Sequence, residues 1–342
     1  MKKILLIFTL LLAIGITLLS TERKTENRFS PINTTNDLKE LSVLDAILEL
    51  GEKKPEHYLV KASQDSVKMG YEMVHFGQLK NKSNSRISKF FVCTDCHNQV
   101  IEVADLSTET TMDRVTYGKL NDLPFLPAST FYGLYNKSHW YNGDYSKKYG
   151  DLVKPTRDTL KNAIQLCAVQ CSQGRSLEEW ELSSILHYFK SIELKVKDLN
   201  LNQSELNQLL NDLAVHDKRS VGLLKSKFLP VNNATFGSLT PTEPANYSPD
   251  LEAGEYIFEN GCLHCHGMGK DITNFEFDND NLTLSFLESK LKKHSSYSTP
   301  YIVRKGTYSI TGRRQYMPQY PLEKMSNTQL FDLINYIKSK SK

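Results

Sequence analysis

Two stretches of the chain carry the same apolar stripe. Leu182, Ile185, Leu186 and Phe189 fall at i, i+3, i+4 and i+7, and Leu330, Leu333, Ile334 and Ile337 repeat that spacing. Four such positions share one side of a 3.6-residue helix, so closing helices are predicted over 182–191 and 330–339. Ser176 with Glu179, and Ser326 with Gln329, have the spacing of a capping box that opens each helix.

A second pair of patterns lies upstream. Leu251, Gly254, Tyr256, Ile257 and Phe258 form an apolar helical face with Asp250 placed to cap it. Val67 to Phe76, with Gly70, is a looser version, followed by a polar insert from Asn81 to Ser88. The glycine in each would let another helix approach closely. Opening helix, loops and closing helix thus occur twice in order, which points to duplication. Helical periodicity also marks Thr35 to Leu50 and Leu199 to Val215, and a Pro-, Thr- and Asn-rich run begins at Pro230. The expected fold is all-α, with two tandem domains over 61–194 and 248–342. A tether over 21–60 precedes them, and 195–247 is read as a linker with one helix.

Residues 1–20 are kept out of the fold. Lys2 and Lys3 precede an uncharged run from Ile4 to Leu19. As a helix that run is about 24 Å long, short of the roughly 30 Å hydrocarbon core. A signal peptide is expected, with an uncleaved N-terminal membrane anchor as the alternative, because no small-x-small cleavage site follows Leu19. No cysteine follows the run, which argues against a lipid anchor. Either reading places the remainder in the periplasm or on the outer face of the cytoplasmic membrane.

The composition, 39% hydrophobic and 24% charged, is that of an ordinary folded protein. Its 42 basic and 39 acidic residues leave a net charge of +3. A strongly basic nucleic-acid binder is excluded, since phosphate binding needs a concentrated positive field.

The six cysteines carry the chemistry. Cys93-Thr94-Asp95-Cys96-His97 and Cys262-Leu263-His264-Cys265-His266 are both C-x-x-C-H, the attachment pattern for c-type haem. Two thiols three positions apart reach the two vinyl groups of a porphyrin, and the adjacent imidazole turns to the iron. A zinc site would want a second C-x-x-C or spaced histidines beside each pair. A thioredoxin-like site would want a βαβ setting, which neither motif has. The expectation is two covalently bound haem c groups, with His97 and His266 as iron ligands.

Residues 250–340 resemble a class I cytochrome c domain: helix, C-x-x-C-H, long loop, Met-Pro, closing helix. Residues about 65–194 are similar to the N-terminal domain of the dihaem thiosulfate dehydrogenase family, related to sulfur-oxidising cytochromes with a cysteine-ligated haem. The likeness rests on Ala163-Ile164-Gln165-Leu166-Cys167-Ala168-Val169-Gln170-Cys171-Ser172-Gln173-Gly174, where that family has a cysteine followed seven residues later by glycine. It has serine where this chain has Cys171, so the cysteine pair is open to another use.

In the second domain the expected sixth ligand is Met317, 51 residues after His266, with Pro318 stiffening its loop. Its rivals are Met268, Met325 and His294. In the first domain Cys167 stands in the matching place, 70 residues after His97. A neutral thioether favours ferrous iron and an anionic thiolate ferric iron, so the two haems would differ in potential. A Cys167–Cys171 disulfide or buried thiol pair, and ligation by His139 or Met112, remain alternatives. Lys137, Lys147, Lys148, Lys154 and Arg157 lie near this loop and could hold a small sulfur oxyanion or form solvated surface.

The expected function is a dihaem c-type cytochrome passing single electrons to and from redox partner proteins. The alternative is a thiosulfate dehydrogenase-like oxidoreductase in which Cys167 is catalytic.

Overall fold

The structure, a computed structural model, describes residues 34–81, 86–108, 111–229, 234–278, 281–291, 296–307 and 316–341. The signal or anchor expected over 1–20 and the rival ligand His294 lie outside the described residues.

The all-α expectation holds. No strand occurs among the described residues, and two isolated bridges, Ser42 with Lys195 and Gly267 with Phe277, are the extended pairings. The first half carries α1 (Thr35–Glu40), α2 (Val43–Glu49), α3 (Gln64–Phe76), α4 (Thr111–Asn121), α5 (Tyr145–Tyr149), α6 (Leu160–Leu166) and α7 (Glu179–Ser191). Then come α8 (Gln203–Ala214) and α9 (Arg219–Ser226). The second half carries α10 (Leu251–Ile257), α11 (Leu263–His266), α12 (Asn281–Leu291), α13 (Thr299–Lys305) and α14 (Asn327–Lys340).

The two apolar stripes are core faces. Ile185, Leu186 and Phe189 of α7 pack with Met73 and Val74 of α3. Leu333, Ile334 and Ile337 of α14 pack with Ile257 of α10. Both helix pairs cross at a glycine. A Cβ on Gly70 would lie 2.1 Å from the Ser184 carbonyl oxygen, and one on Gly254 would lie 2.3 Å from that of Asp332. Both would also meet a tyrosine Cβ at 2.8 Å, Tyr188 and Tyr336 respectively. No side chain fits either crossing, which is why glycine stands at both.

Helices expected in the tether and the linker pack on one another. Leu38 and Ile47 of α1 and α2 join Leu209 and Leu224 of α8 and α9 in a third core. The helix expected over Thr35–Leu50 is two helices, because Leu41 is extended and Ser42 starts afresh, accepting a hydrogen bond from Asp45 N at 3.3 Å. The helix expected from Leu199 begins at Gln203, after Asn200 turns left-handed at φ +50°.

Asp250 caps α10 as its position suggested, accepting from Ala253 N at 2.9 Å. Ser326 and Gln329 form the expected box on α14. Ser176 does not cap α7. There the Glu181 carboxylate takes the Glu178 N–H at 2.8 Å and is itself gripped by Arg175 at 2.6 and 2.7 Å. A charged acceptor beside a guanidinium outcompetes a hydroxyl for that N–H.

The two halves are bolted together by a buried ionic cluster. Glu102 meets Arg114 at 2.9 Å and Lys324, from the second half, at 3.0 Å. Arg114 also donates to the Lys324 carbonyl at 2.8 Å. Burial pushes the Glu102 carboxyl up, but Lys324 and Arg114 outweigh it and hold the group at about 2. Beside the cluster, the Phe125 N–H donates to Asn260 at 2.8 Å, and the Tyr320 hydroxyl to the Phe125 carbonyl at 2.7 Å.

Candidate haem sites

The second motif begins on a π-turn, Phe258–Cys262, that ends α10 and runs into α11. The wide turn swings Cys262, Cys265 and His266 into a cavity of about 340 Å³. Its walls are Ile257, Val303, Tyr320, Met325 and Leu333, and Met317 opens onto it. Phe91, Leu126 and Pro127 from the first half complete the wall. Burial pushes the Cys262 and Cys265 thiols up to about 12. Apolar walls of this kind suit a porphyrin edge. Among the described residues no group of three or more His, Cys, Asp or Glu side chains could hold a metal ion.

His266 is aimed by its backbone partner. Its Nδ1 donates to the Phe275 carbonyl at 2.6 Å, leaving the Nε2 lone pair for iron. The ring stacks on Phe277 at 4.5 Å and 15°. Burial lowers its pKa, so the neutral, ligating form prevails.

Met317 is positioned by a two-sided clamp. Its N–H donates to Thr307 Oγ1 at 2.7 Å, and its carbonyl accepts the Thr307 N–H at 3.0 Å. Gly306 makes the approach feasible, since φ is +72° and a Cβ there would lie 2.3 Å from the Met317 oxygen. Of its rivals, Met268 is 71% exposed, whereas Met325 lines the same cavity.

The first motif repeats the histidine geometry. His97 Nδ1 donates to the Ser129 carbonyl at 2.6 Å, and its ring stacks on Phe131 at 4.2 Å and 14°. Burial takes the imidazole down to about 4 and the Cys93 thiol up to about 12. The two motifs lie close together: burial pushes the Cys96 thiol up, and Cys265 is near enough to add to the shift.

Around the first motif the first half differs from the second. A π-turn, Cys167–Cys171, brings two thiols together, and both cysteines are free. The Tyr149 and Tyr141 hydroxyls stand 3.3 and 3.5 Å from Cys171 Sγ. A hydrogen bond from Cys167, those two hydroxyls and the Lys148 charge together pull the Cys171 thiol down, against its burial. Cys167 is pushed up by the same hydrogen bond and by burial, and it feels Cys93 and Cys96. Both cysteines therefore lie near the first motif.

The remaining residues singled out in the sequence stand elsewhere. His139 pairs with Asp158 at 2.8 Å on the surface, and Met112 is 50% exposed on α4. Lys147 and Lys154 pair with Asp144 and Asp151 at the surface, while Lys148 turns inward. Sequence reasoning missed Phe131 and Phe277 as platforms for the histidines, and it missed Tyr141 and Tyr149. The aromatic run over 132–148 was the available signal for the tyrosines.

An all-α fold whose cysteine–histidine turn faces a methionine in one apolar cavity defines a haem-binding domain of the c type. Residues 251–341 match the cytochrome c family model, which supports a c-type cytochrome domain at this end of the chain. Such a domain binds haem c covalently and serves electron transfer, and domains of this kind are typically extracytoplasmic. Comparison with curated proteins and with solved structures returns no match. Among the described residues no helix is long and apolar enough to cross a membrane.

Proposed function

We propose that the chain is a dihaem c-type cytochrome carrying single electrons outside the cytoplasmic membrane, with one haem in each half. One observation carries the reading: each C-x-x-C-H histidine gives Nδ1–H to a backbone carbonyl and stacks on the phenylalanine two positions after it, Ser129 with Phe131 and Phe275 with Phe277. Haem, when bound, supplies a one-electron centre. The chain's own work is to fix Cys93, Cys96, Cys262 and Cys265 at the porphyrin edge, to hold both imidazoles neutral and oriented, and to exclude water with apolar walls. Met317, which lines the same cavity as His266, would serve the second haem as ligand. The closeness of the two motifs supports electron transfer between the two centres and on to redox partner proteins.

Intact mass and haem quantitation on protein matured in a cytochrome-assembling host test this directly. Two haems per chain are expected, and one haem would overturn the reading.

A second reading is favoured by the Cys167–Cys171 site. A half-buried thiol pair near two tyrosine hydroxyls and Lys148 suits oxidation of a small sulfur oxyanion in the manner of thiosulfate dehydrogenase, with Cys167 as ligand of the first haem. Cys167→Ala would then abolish turnover of thiosulfate with both haems still attached. Wild-type protein inert to thiosulfate and tetrathionate would eliminate it.

A further inference from the structure

The segment from Tyr316 to Tyr320 serves more than the cavity that Met317 enters. Tyr316 reaches across the domain boundary, its ring meeting Phe91 edge-on at 5.9 Å. The Lys148 ammonium lies over the Tyr316 ring at 5.4 Å and over the Tyr149 ring at 5.5 Å. Tyr316 also shares a hydrogen bond with Tyr149 and lies within the fields of Cys96, Cys167 and Cys171. Three residues on, Gln319 Oε1 accepts from Lys148 Nζ at 2.9 Å. Lys148 and Tyr149 are in turn groups that act on Cys171. The segment itself has little slack. Met317 is held to Thr307 on both of its backbone groups, and the Tyr320 N–H donates to Val303 at 2.9 Å.

We propose that this strap makes the second domain part of the first haem site: Tyr316 and Gln319 hold Lys148 and Tyr149 against Cys171, while the same strap presents Met317 to the second haem. Tyr316 is a positioning residue. It acts on the thiol pair through Tyr149 and Lys148, and it is joined to the second haem's ligand by one peptide bond. The environment of Cys167 and Cys171 thus depends on a strap whose place is fixed by the other domain. The proposal rests on the dihaem reading for its significance, but its test separates the two.

The experiment uses full-length haem-loaded protein and compares wild type with Tyr316→Ala, Tyr316→Phe and Lys148→Met. The first readout is the rate at which iodoacetamide alkylates Cys171, located by peptide mass. The second is the ferric low-spin resonance pattern of the first haem, and the third is the methionine–iron charge-transfer band of the second. Tyr316→Ala should speed alkylation several-fold and move the first haem's resonances while the methionine band stays. Tyr316→Phe, which keeps the ring under Lys148, should restore most of the protection. Lys148→Met reaches the pocket from the first domain without touching the strap's backbone; it removes the charge that favours the Cys171 thiolate, so alkylation should slow with the band intact. Unchanged alkylation in Tyr316→Ala and in Lys148→Met overturns the proposal. So does an increase in Tyr316→Ala accompanied by loss of the methionine band, because that would be local unfolding of the strap. A wild-type haem count of one would sink the dihaem reading, and the alkylation series would still decide the role of Tyr316.

Discussion

On the histidine side the two halves of this protein are nearly interchangeable. Each crosses its opening and closing helices at a glycine, each aims a histidine with a backbone carbonyl, and each stacks that histidine on phenylalanine. In the other residues near each motif they part. The second half presents one neutral thioether on a Met-Pro strap, and the first presents two thiols under tyrosine hydroxyls and a lysine. The repeated side is a scaffold for holding a group, and its geometry is set by backbone partners that leave little room for variation. The divergent side is built from side chains, where thioether or thiolate would set the centre's potential and its openness to substrate. One architecture thus leaves the distal residues free to give each half its own chemistry.

The largest effect that could break the comparison is loss of a whole cofactor. Replacing Cys262 and Cys265 together by alanine should lower the intact mass by one haem, and replacing Cys93 and Cys96 should do the same. If the second pair of substitutions left the mass unchanged, the likeness of the two halves would be one of fold alone.

The next effect concerns what joins the halves. Glu102→Gln leaves Arg114 and Lys324 buried against a neutral partner, and breaking a buried ionic cluster costs about 3–5 kcal/mol. Chemical denaturation at neutral pH should show that loss. The carboxyl is held at about 2, below its ordinary 4.5, so its contribution is present above pH 4.5. That contribution is lost as pH falls from there towards 2. Wild-type stability should therefore drop through that window, and Glu102→Gln should flatten the drop. An equal acid slope in the two proteins would show that Glu102 is not the group responsible.

Gly70→Ala and Gly254→Ala probe the shared scaffold. Each would drive a Cβ into the backbone of the closing helix, and overpacking of this kind costs about 1–3 kcal/mol. The two losses in denaturant midpoint should be similar, since the approach distances of 2.1 and 2.3 Å are nearly the same. A tolerant Gly70 with an intolerant Gly254 would mean that the first crossing relaxes where the second cannot.

These crossings were readable in the sequence because they are local and periodic. The stripes at Leu182 and Leu330 specify faces, and Gly70 and Gly254 sit where a helix face must be flat. The same holds for the motif cysteines and for Met317, whose neighbour Pro318 marks it. The Glu102–Arg114–Lys324 cluster was not readable, because Glu102 and Lys324 lie 222 positions apart and no short-range pattern pairs them. Tyr316 was hidden for a related reason. Its neighbour Met317 announced one site, and nothing in the chain says that the residue beside it meets the first half. The third core was missed because the polar surfaces of α1, α2, α8 and α9 look like tether and linker until each is seen to cover the others.

The smallest effect separates the two closing helices at their first turn, where sequence spacing was the same and structure is not. Ser326 Oγ accepts the Gln329 N–H at 3.1 Å, so Ser326→Ala should cost about 1 kcal/mol, the usual worth of such a cap. Ser176 is exposed, and the Glu178 N–H that opens α7 is taken by Glu181 instead. Ser176→Ala should therefore stay within about 0.5 kcal/mol of wild type, as surface substitutions generally do. Removing Glu181 should expose the difference, because its carboxylate serves the helix end and Arg175 at once. Denaturant midpoints of the two serine variants, measured side by side, check this. Equal losses would restore the serine cap to α7 and return the two helices to the symmetry their spacing suggested.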